Sequence, residues 1–132
     1  MTPTTEPDVE TARAIERAVL DYFDGWFDGD AERMERALHP ELAKRTLQGD
    51  ALAADTAQEM IDATAAGIGK RQDVPDRAIR IEIVDVSGTI ASVVVRSAVY
   101  LEYVHLARTS EGWKIVNALW QRTLPEGGDG SA

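Results

Sequence analysis

The sequence has no cysteine and few positive charges, and both shortages exclude classes of function. Without cysteine the chain has no disulfide, no thiolate chemistry and no cysteine-ligated zinc. Its 132 residues include 23 acidic and 14 basic side chains, which gives a net charge of −9. Nucleic acids and anionic membrane surfaces are both bound through clustered Lys and Arg. We therefore expect no nucleic-acid partner and no membrane partner.

The sequence also lacks long apolar runs and a recognisable targeting segment. No run approaches the ~20 apolar residues that cross a bilayer, and residues 1–8 (MTPTTEPD) lack the basic and apolar regions of a signal peptide. These features predict a cytoplasmic protein. Since His39 and His105 have no partner at metal-ligand spacing and the acidic residues are scattered, we predict no metal site and no cofactor.

The composition that remains is that of a soluble globular protein, with 44% hydrophobic and 28% charged residues. A chain of this length is long enough for one domain with a single core. The placement of Pro, Gly and polar residues predicts a disordered leader at 1–8 and a flexible tail at 123–132. The single domain is expected at 9–122.

Helix signals fill the N-terminal half. Apolar residues recur at spacings of three and four between Ala12 and Trp26, which predicts an amphipathic first helix that ends at Gly29. Asp30 is expected to cap a second, short helix. The segment Thr56–Glu59 matches the capping box and predicts a third helix.

The pattern changes to β-strands from Ala78 onward. Alternating isoleucines at 79, 81 and 83 predict a half-buried strand, and the β-branched stretch 89–99 predicts a central one. Strands at 100–109 and 113–122 are expected to form a hairpin. A short edge strand is predicted at 44–47, whereas 49–54 shows no clear pattern.

Two segments, DYFDGWFDGDAERMERALHPELAKR and IASVVV…YLEYVHLARTSEGWKIVNALW, carry a family resemblance. Over residues 9–122 the chain resembles the nuclear-transport-factor-2-like superfamily, and within it the putative lumazine-binding branch. The resemblance implies an α+β fold, a cone-shaped half-barrel with N-terminal helices packed on a curved, mainly antiparallel β-sheet. It also implies a homodimer, and the name of the branch implies a bound heteroaromatic ligand.

Enzymes of the same superfamily include ketosteroid isomerase, scytalone dehydratase, limonene epoxide hydrolase and polyketide cyclases. They use polar side chains inside an apolar cone, where burial moves carboxyl pKa values towards neutrality. Their Asp/His and Tyr/Asp sets do not map cleanly onto this sequence. No residue therefore receives a catalytic role from the resemblance.

Strand alternation predicts which face of the last hairpin lines a pocket. If Arg108 pairs with Trp113, one face carries Trp113, Ile115, Asn117, Leu119, Leu106, Val104 and Glu102. We expect the pocket between helix one and this face. The other face carries Lys114, Val116, Ala118, Trp120, Ala107, His105 and Tyr103, and a homodimer is predicted through His105, Val116, Ala118 and Trp120. A register slip of one residue in strand three would exchange that strand's two sets.

Glu102 is the leading catalytic candidate on the predicted pocket face. A buried, unpaired carboxyl favours its neutral form and can act as a general acid or base. The alternative is an exposed glutamate or one paired with Arg96 or Arg122, because Glu is seldom buried alone. His39, placed after a helix end, is the second candidate, since an imidazole at a cone mouth titrates near neutrality. A surface or helix-capping histidine is the alternative.

Four other residues complete the predicted ligand site. Tyr22 and Trp26 face inward from helix one, as core, as pocket wall or as a stacking surface for a planar ligand. Asn117 either binds an amide or carbonyl of the ligand or makes a structural hydrogen bond. Met60 is expected beside them as a residue that fills gaps in the core.

These observations favour a small-molecule-binding protein. The alternative is an isomerase, dehydratase or cyclase that acts by general acid/base catalysis on a mostly apolar small molecule. A third possibility is a structural dimer in which side chains fill the cone. The sequence identifies neither the ligand nor a reaction.

Overall fold

The computed structural model describes residues 7–123, and most of the predicted leader and tail lies outside them. The elements follow in this order: α1 Val9–Asp28, α2 Ala31–Ala37, β1 Leu38–Gln48, β2 Ala51–Asp55, α3 Ala57–Ala65, a 3₁₀ turn Lys70–Gln72, β3 Ile79–Ser87, β4 Ile90–Ser97, β5 Tyr100–Thr109 and β6 Gly112–Arg122. No helix among these residues is long and apolar enough to cross a membrane.

The helix boundaries arise from local hydrogen bonds that the sequence predicts. The Asp8 carboxylate accepts from the backbone of the first turn of α1, and Gly29 ends that helix with φ 71°. The Asp30 side chain caps α2. Both hydrogen bonds of the predicted capping box are present at Thr56 and Glu59 of α3. The predicted starts of α2 and α3 and the predicted end of α1 are confirmed.

The six strands form one sheet in the order β2-β1-β6-β5-β4-β3. Neighbouring strands are antiparallel except for β1 and β6, which pair in parallel. The predicted α+β class, with three helices on a curved, mainly antiparallel sheet, is confirmed. The predicted edge strand at 44–47 is part of the longer β1. The segment 49–54, for which the sequence showed no clear pattern, turns at Gly49, with φ 63°, and continues as the edge strand β2.

The core lies between the helices and one face of the sheet, which we call the inner face. Helix α1 supplies Ile15, Val19 and Phe23, and α3 supplies Met60. From the sheet the inner face presents the fully or nearly fully buried side chains of Val93, Val95, Val104, Leu106, Ile115 and Ala118. The opposite, outer face is not covered by any described element and carries exposed Tyr103 and Leu119.

A β-bulge at Val116 reverses the predicted alternation of β6. Leu106 pairs with Ile115 but His105 pairs with Asn117, so Val116 is an extra residue in β6. The prediction for the second half of this strand was therefore wrong. Asn117 and Leu119 lie on the outer face, whereas Ala118 and Trp120 lie on the inner face. Hence His105, Val116, Ala118 and Trp120 do not share one face, although Arg108 does pair with Trp113.

An ion-pair cluster fixes α1 against α2. Asp21 is buried, and its two carboxylate oxygens each lie 3.0 Å from an arginine Nε, one of Arg33 and one of Arg36. Burial alone would raise the pKa of Asp21, but hydrogen bonds from Arg36 and Arg33 hold that pKa below its usual range. The cluster joins the second half of α1 to α2.

Candidate functional site

Helix α1 projects two aromatic side chains towards the sheet. Tyr22 and Trp26 are four residues apart and therefore share one helix face. Tyr22 is buried, and its hydroxyl donates a hydrogen bond of 2.9 Å to Glu102 Oε1 on β5. Burial, followed by the negative charge of Glu102, raises the pKa of Tyr22 well above its usual value. This tyrosine therefore acts as a neutral hydrogen-bond donor.

Glu102 is buried on the inner face of the sheet, with 2% of its surface exposed. Neither Arg96 nor Arg122, the two partners suggested from the sequence, forms an ion pair with it. Arg96 forms its ion pair with Glu82, and Arg122 lies over the Tyr100 ring. Burial raises the pKa of Glu102, while the charge of Lys44 and the Tyr22 hydrogen bond oppose that rise.

Lys44 extends from β1 into the same interior and is only 9% exposed. Its Nζ lies 5.1 Å from the ring centroid of Tyr22, 5.2 Å from that of Trp120 and 5.8 Å from that of Trp26. Each ring face attracts the ammonium group. Burial nevertheless lowers the pKa of Lys44, against the opposing charges of Glu102 and Asp55. Within residues 7–123, Lys44 Nζ takes part in no hydrogen bond and no ion pair.

Two indole N–H groups at this site are buried without a hydrogen-bond partner in the described part of the chain. They belong to Trp26 and Trp120, whose rings are otherwise partly exposed. A buried donor without an acceptor costs about 1–3 kcal/mol. Such donors are rare in folded proteins and call for an explanation. We refer to Tyr22, Trp26, Lys44, Glu102 and Trp120 as the inner cage.

The inner cage is nearly closed in this structure. Its cavity of about 10 Å³ is lined by Tyr22, Phe23, Trp26, Lys44, Tyr100 and Glu102. That volume accommodates about one water molecule. A larger ligand therefore requires side chains to move, and Trp26 is the one residue of this lining that is not fully buried.

The other predicted site residues lie elsewhere. His39, at the start of β1, accepts a hydrogen bond from the backbone of Glu41 and lines a surface groove of about 440 Å³. Met60 is part of the α3 core. Asn117 lies on the outer face, 3.4 Å from His105 Nδ1, in a depression of about 370 Å³. In residues 7–123 no group of three His, Asp or Glu side chains is placed to hold a metal ion.

Sequence reasoning placed Tyr22, Trp26 and Glu102 inside the cone but missed the two other members of the inner cage. Leu42, Lys44 and Thr46 are spaced two residues apart on β1, so all three side chains point to the inner face. Its inward position was missed because only a four-residue edge strand was predicted there. Trp120 was placed on the wrong face because the bulge at Val116 has no signal in the residue pattern.

The sequence matches a known family over most of its length. The family model described as putative lumazine-binding covers residues 10–121. The chain belongs to this family. A comparison with curated proteins finds no significant match.

Solved structures agree with the family assignment at the level of the fold. An NTF-2 like protein of unknown function from Silicibacter pomeroyi is 16% identical, with a TM-score of 0.75 over 89% of this chain and 100% of that one. A ketosteroid isomerase-like protein from Erwinia carotovora is 19% identical, with a TM-score of 0.65 over 90% of this chain and 100% of that one. This putative lumazine-binding family member therefore has the NTF2-like fold.

Proposed function

We propose that this protein binds a small molecule in the inner cage, between α1 and the inner face of the sheet. The observation that carries the proposal is a group of three polar side chains, Tyr22, Lys44 and Glu102, buried inside an aromatic shell. Ligand sites are mostly apolar cavities that contain a few convergent polar groups. A core that served packing alone would be more stable with apolar side chains in these positions.

The aromatic walls favour a flat ligand. Tyr22, Trp26 and Trp120 each present a ring towards the centre of the inner cage, and offset stacking on such rings adds about 0.5–1.5 kcal/mol per pair. Because the cavity holds about one water molecule, binding requires side chains of its wall to move. The family description, putative lumazine-binding, is consistent with a planar heteroaromatic ligand.

Native mass spectrometry of freshly purified protein tests this proposal. We expect a retained mass that denaturation releases, or a new mass after addition of planar heteroaromatic compounds. Trp120→Phe should weaken retention because it removes an indole wall of the inner cage. Trp113→Phe is the matched control, since Trp113 is a buried tryptophan of the same strand outside the inner cage. Absence of any retained or added mass across the panel would contradict the proposal.

General acid/base catalysis is the second candidate function, and Glu102 is the residue that supports it. Its burial raises its pKa and makes it a candidate to accept or donate a proton. Glu102→Gln keeps the shape and the acceptor for the Tyr22 hydroxyl. In an isomerase, dehydratase or cyclase assay the variant should lose about 10²–10⁴-fold in rate while still binding the substrate. Full activity of the variant would exclude this role.

We also propose that the protein is a homodimer through the outer face of the sheet. This face carries His105 together with exposed apolar side chains, including Ile90, Tyr103 and Leu119, which are 62%, 52% and 52% exposed. Exposed large apolar side chains on an uncovered sheet face are typical of an association surface. The location in the cytoplasm stays a prediction from the sequence.

A further inference from the structure

We infer that the inner cage selects a planar, conjugated ligand that carries an anionic oxygen, bound by the Lys44 ammonium group. This inference rests on the proposed binding function and specifies the chemistry of the ligand. The structural basis is the buried ammonium group of Lys44, which is surrounded by aromatic rings and which no carboxylate within residues 7–123 contacts closely.

Lys44 brings unpaired hydrogen-bond donors into the inner cage. Its ammonium group contributes three N–H donors and no acceptor. The nearby carboxylate acceptors are the oxygens of Glu102, one of which already receives the Tyr22 hydroxyl. A ligand that presents acceptors would satisfy these groups, whereas one that presents further N–H donors would leave them unpaired.

The charge of Lys44 is not matched by a close partner. In the described part of the chain none of the ion pairs includes Lys44, even though burial of a cation is unfavourable without one. Glu102 and Asp55 act on it through space, and Asp55 lies opposite Lys44 in the pairing of β1 with β2. A ligand oxyanion in contact with Nζ would supply the missing counter-charge.

Aromatic rings around Lys44 restrict the shape of that ligand. The three ring centroids lie 5.1–5.8 Å from Nζ, so an anion that reaches Nζ must pass between ring faces and edges. Once side chains of the wall have moved, a flat ring with an oxyanion at its edge would fit between them, because the ring would contact the aromatic walls while the oxygen reached the ammonium group. Ring edges carry partial positive charge and are compatible with an anion. A compact inorganic anion would leave these walls uncovered.

Benzoate and benzamide form a matched probe pair for this inference. They share size and planarity, but benzoate carries an oxyanion where benzamide carries N–H donors. Binding is measured by the shifts of the indole N–H signals in two-dimensional NMR, which detects weak complexes. We expect benzoate to bind wild-type protein at least tenfold more tightly than benzamide, with the Trp26 and Trp120 signals shifted.

Two lysine variants locate the origin of that preference. Lys44→Met replaces the ammonium group by an apolar side chain of similar length and should abolish the preference for benzoate. Lys114→Met is the control, because Lys114 is a lysine of β6 whose Nζ binds the Arg36 carbonyl outside the inner cage. It should keep the full preference. The comparison of the two probes on wild-type protein stands even if Lys44→Met fails to fold.

Each other outcome overturns the inference. Equal binding of the two probes, tighter binding of benzamide, or a preference that survives Lys44→Met would show that Lys44 does not select an oxyanion. If benzamide or another neutral aromatic binds in the inner cage while benzoate does not, the proposed binding function stands and only the ligand class is wrong. If no aromatic compound shifts the N–H signal of either indole, both this inference and the proposed binding function are wrong.

Discussion

Replacing Glu102 with Gln should make the protein more stable at neutral pH and leave its stability in acid nearly unchanged. The side chain is 2% exposed, so its ionised form has lost almost all hydration. Glutamine preserves the volume and the acceptor that receives the Tyr22 hydroxyl at 2.9 Å. The substitution therefore removes a buried charge while keeping the local packing.

The direction of this stability change follows from the raised pKa of Glu102, and the largest cause of that rise is burial. The folded protein holds its proton to a higher pH than the unfolded chain does, so wild-type stability falls as pH rises between the two pKa values. Above the folded-state pKa the carboxylate is ionised, and the full cost of burying its charge is present. Replacement of buried ionic groups by neutral ones leaves the free energy of unfolding unchanged or raises it by about 1–4 kcal/mol. We expect an increase in the lower part of that range, about 1–2 kcal/mol, because Lys44 loses a nearby negative charge in the variant.

Urea unfolding at a series of pH values, at one fixed protein concentration, measures this effect through tryptophan fluorescence. The free-energy difference between Glu102→Gln and wild type should grow as pH rises above the unfolded-state pKa of glutamate, and it should level off above the raised folded-state pKa. Glu82→Gln is the control, since Glu82 forms an exposed pair with Arg96 and should show little pH dependence. A wild type that gains stability over Glu102→Gln as pH rises would refute the reasoning, because it would mean that Lys44 lowers the pKa of Glu102.

Three further predictions concern packing, the ion-pair cluster and association. Gly69→Ala should lose about 1–3 kcal/mol in urea unfolding, because an added Cβ would overlap the Trp26 backbone oxygen and lie 2.6 Å from two Trp26 ring atoms; unchanged stability would show that the segment around Gly69 moves away from α1 freely. Asp21→Asn should lose about 1–3 kcal/mol at neutral pH, since it removes charge-assisted hydrogen bonds from two partly exposed arginines. Because the pKa of Asp21 is lowered, that loss should shrink as pH falls through its folded-state value. Leu119→Lys should shift a dimer to monomer in size-exclusion chromatography, and a variant that stays dimeric would place the interface elsewhere.

The parts of the fold that depend on local chemistry could be predicted from the sequence. Asp8, Asp30 and the Thr56–Glu59 pair each satisfy free backbone amides of a helix within four residues. Gly29 ends α1 because it adopts a positive φ at no steric cost. These signals need no knowledge of the rest of the chain.

The inner cage could be predicted only in part, because its members meet through long-range pairing. Tyr22 and Glu102 are 80 residues apart, and their contact depends on how α1 crosses the sheet. Lys44 lies inward because β1 pairs with β6, a parallel pairing that residue patterns do not reveal. The extra residue Val116 moved Trp120 into the inner cage and Asn117 out of it. A single bulge therefore changed which side chains belong to the site.

The indole N–H signals of the three tryptophans offer the most direct test of the central claim that the inner cage is a ligand-binding site. Trp26 and Trp120 belong to the inner cage and have buried, unpartnered N–H groups, whereas Trp113 lies elsewhere on β6. During titration with a planar heteroaromatic compound, assigned through Trp→Phe variants, we expect saturable shifts at Trp26 and Trp120 and a constant signal at Trp113. Shifts confined to Trp113, or no saturable shift at Trp26 and Trp120 for any compound tested, would contradict the claim.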